Sequence, residues 1–160
     1  MSHRLQNSRG LTLIEVLVSI TILGIITTAF LSYFTQAYSY TKKNQDQTVG
    51  INIARNVLYY MEQQNYQSIK NQYFPSDTSP KEVKLTIDNC KDSVFDTPVC
   101  RDFFSTEINN VDYSTTVTLS RDVTNGSQTA SPNLSNYLIG VEVQVTWGNQ
   151  SRTVRGLIQK

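Results

Sequence analysis

The chain has 160 residues, and its 14 Lys and Arg against 13 Asp and Glu leave a net charge of +1. That length holds one domain plus a membrane segment rather than two full domains, and the balance lacks the basic face that nucleic-acid binding requires. The single histidine, His3, lies near the start, which argues against a Ser-His-Asp or Cys-His nucleophile pair and against a His-containing metal site in the body of the chain.

Apolar residues crowd the stretch from Leu11 to Phe34, and the remainder is rich in Asn, Gln, Ser and Thr. No charged residue occurs from Val16 to Thr41. About 20 apolar residues cross a bilayer as a helix, so this window is long enough to span with some tilt. A secretory signal has a shorter apolar core and a small-residue cleavage site after it; here the run continues into Phe30, Leu31, Tyr33 and Phe34. Arg4 and Arg9 precede the run and Lys42 and Lys43 follow it, so the positive-inside count is nearly balanced. The short lead favours a cytoplasmic N-terminus. Gly24, Thr21, Thr27 and Thr28 inside the run suit close helix–helix contact. One acid, Glu15, stands at the leading edge. In a plain single-pass anchor it would be an interfacial carboxylate favoured by the helix macrodipole.

The local order of residues gives Glu15 a second meaning. Gly10 precedes Leu11, and Glu15 is the fifth residue counted from Leu11, within "GLTLIE". This stretch, with its short basic lead and the apolar run after it, resembles the processing site of the type IV pilin and pseudopilin family. The resemblance implies a leader over residues 1–10, cleaved by a prepilin peptidase between Gly10 and Leu11, with the new amine of Leu11 then N-methylated. It also implies a transmembrane and assembly helix over residues 11–34. In that family the glutamate corresponding to Glu15 is thought to pair with the N-terminal amine of a neighbouring subunit, an assembly role rather than a catalytic one. A buried pair of this kind sets register more than it adds net stability. Leu11 departs from the family's usual Phe, and Ser32 stands where many pilins have proline. Helix weakening here therefore rests on Gly24 and the Thr27–Thr28 pair.

The helix is expected to continue. Ala54, Val57, Leu58 and Met61 follow the spacing of one helical face, with Ile53 and Tyr60 beside them. Gly50 is a weak point in that helix, at about 1 kcal/mol relative to Ala. The pattern predicts an amphipathic continuation over residues 35–70, with the whole helix running from about Leu11 to about Tyr66.

Residues 71–160 read as a head dominated by period 2. Glu82–Asp88, Asp112–Val123 and Tyr137–Trp147 are predicted strands, the last two with Tyr113, Thr115, Val117 and Leu119, and with Val141, Val143, Val145 and Trp147, each on one face. Gly148–Asn149 suits a two-residue hairpin turn into Gln150–Gln159. The fold class is thus α+β: a long N-terminal helix, apolar in its first half and amphipathic in its second, packed on a small antiparallel sheet. This is also the fold that the resemblance implies, and the C-terminal hairpin, with Trp147 just before the turn, resembles those of minor pilins and minor pseudopilins. Pro75–Pro80, Asn89–Ser105 and Asn125–Asn136 read as loops. The second holds both cysteines, Cys90 and Cys100, which in an exported domain are expected to pair. Closing that loop would contribute on the order of 2–3 kcal/mol.

The expected function is that of a structural subunit, a minor pilin of a type IV or competence (DNA-uptake) pilus, with a type II secretion pseudopilin as the alternative. A membrane-anchored adhesin that never polymerises is the reading from a different class. An enzyme is not expected: no phosphate-binding glycine loop, metal spacing or clustered catalytic motif occurs. No cofactor and no metal are expected. The partners implied are prepilin peptidase, other pilin subunits, the pilus assembly platform and its ATPase, and the inner or cytoplasmic membrane before assembly, with DNA or a surface ligand as further candidates at the head.

Overall fold

The computed structural model describes residues 10–76, 78–89, 97–121, 124–125, 128–129 and 136–160. They fall into two units, one ending at Asn44 and the other running from Gln45 to Lys160.

The first unit is the start of α1 (Leu13–Glu62). Many of its residues are β-branched and weak helix formers, yet the helix is unbroken through Gly24 and Ser32. The hydroxyls are internally satisfied: Thr21 donates to the Val18 carbonyl at 2.8 Å, Thr27 to Leu23 at 2.7 Å, Thr28 to Ile25 at 2.9 Å and Thr35 to Ser32 at 2.9 Å. A threonine paired with its own helix carries no unmet polar atom into lipid. Every residue from Leu11 to Gln36 is exposed. Among the described residues α1 is the one helix long and apolar enough to cross a membrane.

In the second unit the remainder of α1 lies on a sheet. Gly50, Ala54, Val57 and Met61 are its buried residues, a stripe at helical spacing. They meet the inner face of β1 (Glu82–Leu85), β3 (Val111–Ser120), β6 (Leu138–Trp147) and β7 (Gln150–Gln159), joined in that order. All pairings are antiparallel. A further strand, β2 (Ser105–Ile108), shares one side of β3 with β1: β1 pairs with Val117–Ser120 and β2 with Val111–Ser114. The inner face carries Tyr113, Val117, Leu119, Ile139, Val141, Val143, Val145, Trp147 and Ile158, all buried, as the alternation requires. β7 forms the other margin of the sheet, and there the Leu157 N–H donates to Glu62 Oε1 of α1 at 3.4 Å.

Two features fix how closely helix and sheet approach. A Cβ at Gly50 would lie 2.5 Å from the ring of Trp147, so the glycine is a notch for that indole and its low helix propensity is the cost of a packing position. Tyr113 sits beside Trp147, ring centroids 5.7 Å apart, and its hydroxyl reaches the Asp46 carbonyl at 3.4 Å. Burial pushes the Tyr113 phenol up, and the Asp46 charge adds to the rise. Tyr66 is also pushed up by burial, with Lys160 opposing.

The structure departs from the sequence reading in four places. The long helix ends at Glu62, and a separate α2 (Tyr66–Tyr73) follows. Asn65 makes the break: its side chain accepts from the Ser68 N–H at 3.1 Å as an N-cap. The first predicted strand stops at Leu85, because the Asn89 side chain accepts from the Thr86 N–H at 2.6 Å and closes a turn. The segment read as the loop Asn89–Ser105 contains α3 (Thr97–Phe104) and the first residue of β2. Phe103 of α3 lies against Tyr60, ring centroids 4.7 Å apart, and Phe104 is buried. Within the third expected loop, β4 (Thr124–Asn125) pairs with β5 (Gln128–Thr129), and most of the rest lies outside the described residues. Two turns obey simple rules. Asn109 and Asn110, both at positive φ, join β2 to β3 as a type I′ pair; Gly148, φ +49°, begins the β6–β7 turn.

Candidate functional site

The residues singled out by the sequence gather at the start of α1. Gly10 and Leu11 precede the helix and are exposed, and a side chain at Gly10 would meet nothing within 4 Å. An accessible dipeptide just before a helix suits a peptidase that must reach the backbone.

Thr12 is the N-cap. Its carbonyl accepts from the Glu15 N–H at 3.1 Å and the Val16 N–H at 3.3 Å. The Glu15 carboxylate turns back onto it: Oε2 accepts from the Thr12 backbone N–H and from the Thr12 hydroxyl, each at 2.8 Å. The Thr12 hydroxyl also lies 3.4 Å from the Glu15 N–H. This is a capping box, T-x-x-E, closing the first turn with both residues. The sequence carries its signature at Thr12–Glu15, but the reading above gave Glu15 a partner outside the chain and Thr12 no role. The charge of Glu15 is thus held by two donors of its own turn at the edge of an apolar helix. The Thr12 amide lies beyond the Gly10–Leu11 bond, so a cut at that bond leaves both donors in place.

The local sequence explains the geometry. Thr12 offers the cap, and Leu13 begins an apolar stretch with no breaker until Gly24. From Glu15 onward the surface is Leu, Ile, Val and Phe, all exposed, a surface stable only against lipid or other apolar helices.

A model of the prokaryotic N-terminal methylation motif matches residues 5–31. The chain carries the prepilin motif, the hallmark of type IV pilin-like prepilins. The match spans Gly10, Leu11, Glu15 and the apolar run as far as Leu31, and the long N-terminal helix followed by a small antiparallel sheet fits that family. No curated protein and no solved structure matches the chain. The prepilin motif marks chains that are processed by prepilin peptidase and assembled with other pilins, as structural subunits rather than enzymes. Among the described residues no group of three or more His, Cys, Asp or Glu could hold a metal ion. Cys100 is buried on α3, and the described residues include no free cysteine. Its expected partner Cys90 lies outside the described residues.

Proposed function

We propose that this prepilin is a minor pilin of a type IV or competence pilus, cut between Gly10 and Leu11, N-methylated at Leu11, and drawn from the membrane into a helical filament. The observation that carries this reading is the joining of the prepilin motif to an exposed apolar run, Leu11 to Phe34, whose one acid, Glu15, sits at its edge. Before assembly the helix lies in the inner or cytoplasmic membrane with its start on the cytoplasmic side and the head outside. Cleavage creates a cation at Leu11 next to hydrocarbon, where an unpaired charge is expensive. Glu15 is the charge that can meet it on a neighbouring subunit. Thr12 keeps the carboxylate satisfied until then, so the exchange of partners happens between two satisfied states. Head-to-tail contacts of this type do not close on themselves and so propagate as a helix. The assembly platform and its ATPase supply the work of extraction.

The test is mass spectrometry of the mature N-terminus, joined to incorporation of a Glu15→Val variant into sheared filaments. The expected results are a start at Leu11 carrying one added methyl, and loss of the variant from filaments at unchanged cellular abundance. An unprocessed start in cells with an active prepilin peptidase, or undiminished incorporation of the variant, would overturn the reading.

A further inference from the structure

Beyond Leu31, α1 carries a group of aromatic residues without any role so far. Tyr33, Phe34, Tyr38 and Tyr40 are 63–73 % exposed, with Phe30 one turn before them. Phe30 and Phe34 stand 6.3 Å apart, as do Tyr33 and Phe34. Lys42 and Lys43, also exposed, follow directly. A core-facing helix would bury such rings; here none is covered by the unit that contains it.

We infer that Tyr33, Tyr38 and Tyr40, backed by Lys42 and Lys43, are a lipid-interface anchor that fixes how deep the helix sits in the bilayer before assembly. This rests on the membrane reading given above and adds a depth to it. Tyrosine concentrates at membrane–water interfaces because its ring is apolar and its hydroxyl is wet. The spacing fits. At about 1.5 Å per residue, Leu13 to Tyr33 measures about 30 Å, the thickness of a hydrocarbon core. Leu13 to Tyr40 measures about 40 Å, the thickness with headgroups included. With the first tyrosine at one edge of the hydrocarbon, the capped turn Thr12–Glu15 falls at the other. Lys42 and Lys43 then lie at headgroup level, where they complement anionic phosphates. The two ends are anchored by different chemistry: a self-satisfied acid on one side, rings and cations on the other.

The experiment uses the full chain in vesicles of phosphatidylcholine with a minor share of phosphatidylglycerol. Leu23→Trp places a probe near the middle of the span and Tyr38→Trp places one at the anchor; the native Trp147 signal, measured in the unsubstituted chain, is the baseline. Quenching is compared between lipids brominated close to the headgroup and lipids brominated deep in the chains. The expected result is several-fold stronger quenching of the position-23 probe by deep bromine, and of the position-38 probe by shallow bromine. If the position-23 probe responds to deep bromine and the position-38 probe to neither, or to deep bromine best, the anchor is overturned while the membrane reading stands. If neither probe is quenched, the membrane reading itself fails. A second arm replaces Tyr38 and Tyr40 with Ser in the Leu23→Trp chain. The deep-to-shallow ratio is expected to change about twofold; an unchanged ratio overturns the anchor and assigns the rings to contacts between subunits.

Discussion

Thr12 and Glu15 hold each other. Two Thr12 donors meet one carboxylate oxygen at 2.8 Å, and Thr12 in turn caps the helix whose first turn holds Glu15. The pair makes the acid at the edge of the apolar run a structural group in the free subunit, before any neighbour is present.

Thr12→Ala therefore frays the first turn. Amide exchange at Glu15 and Val16 is expected to quicken about fivefold, the ordinary worth of a helix cap, with no change beyond Gly24. Thr12→Ser should restore protection. Exchange measured by NMR on the full chain in micelles decides it, and equal rates in the Ala variant would remove the capping box as a stabilising element.

Gly50 gives a test in which two principles predict opposite signs. Helix propensity alone predicts that Gly50→Ala stabilises by about 1 kcal/mol. The Trp147 ring, 2.5 Å from where the new Cβ would stand, predicts a loss of about 1–3 kcal/mol through overpacking. We expect the loss. Trp147 is the only tryptophan, so its fluorescence during denaturation reports the answer directly. A gain in stability would show that helix and sheet separate freely enough to absorb the methyl.

Among the described residues Thr115 is the one buried polar residue of the sheet's inner face, and its hydroxyl has no hydrogen-bond partner among them. Removing an unsatisfied buried hydroxyl while keeping the shape is favourable. Thr115→Val is expected to raise stability by about 1 kcal/mol and the melting temperature with it. A lower melting point would mean that the hydroxyl has a partner in solution.

Alkaline pH should loosen the head. The phenols of Tyr113 and Tyr66 are raised in the folded state, so between the unfolded value, about 10, and the folded one the native state binds more protons than the unfolded. Stability from these groups is whole below about pH 10 and falls as pH climbs through the raised values. Tyr113→Phe removes one of the two and should flatten the decline seen in denaturant midpoints from neutral to alkaline pH. An unchanged slope would leave Tyr113 without a part in it.

The parts of this fold that were legible were those where one period runs long enough to dominate. β3 and β6 each alternate over ten residues, β7 follows from the Gly148–Asn149 turn, and the stripe through Ala54, Val57 and Met61 could face only one way. What escaped was set by single side chains. Asn65 ends one helix and starts another through one hydrogen bond, in a stretch without glycine or proline. α3 begins at Thr97–Pro98 inside a segment whose polarity reads as loop, and β2 is only four residues long. The Asn109–Asn110 turn between β2 and β3 was the signal that could have revealed that hairpin. At the candidate site the positions of Gly10, Leu11 and Glu15 were legible from their order alone. The role of Thr12 was written in the T-x-x-E spacing but hidden by attention to the charge.

Glu62 ends α1 and also accepts from Leu157 N–H at the outer margin of β7. An uncovered ten-residue margin is a template on which another chain can lay a strand. The carboxylate occupies one of its donors, and Arg152 on the same strand penalises a like-charged copy arriving alongside, while Arg155 is held by Glu142 of β6 at 2.6 Å. On the proposed reading, subunits crowded in a membrane would thereby be kept from zipping together through their sheets, and the heads would stay single while the helices meet their neighbours.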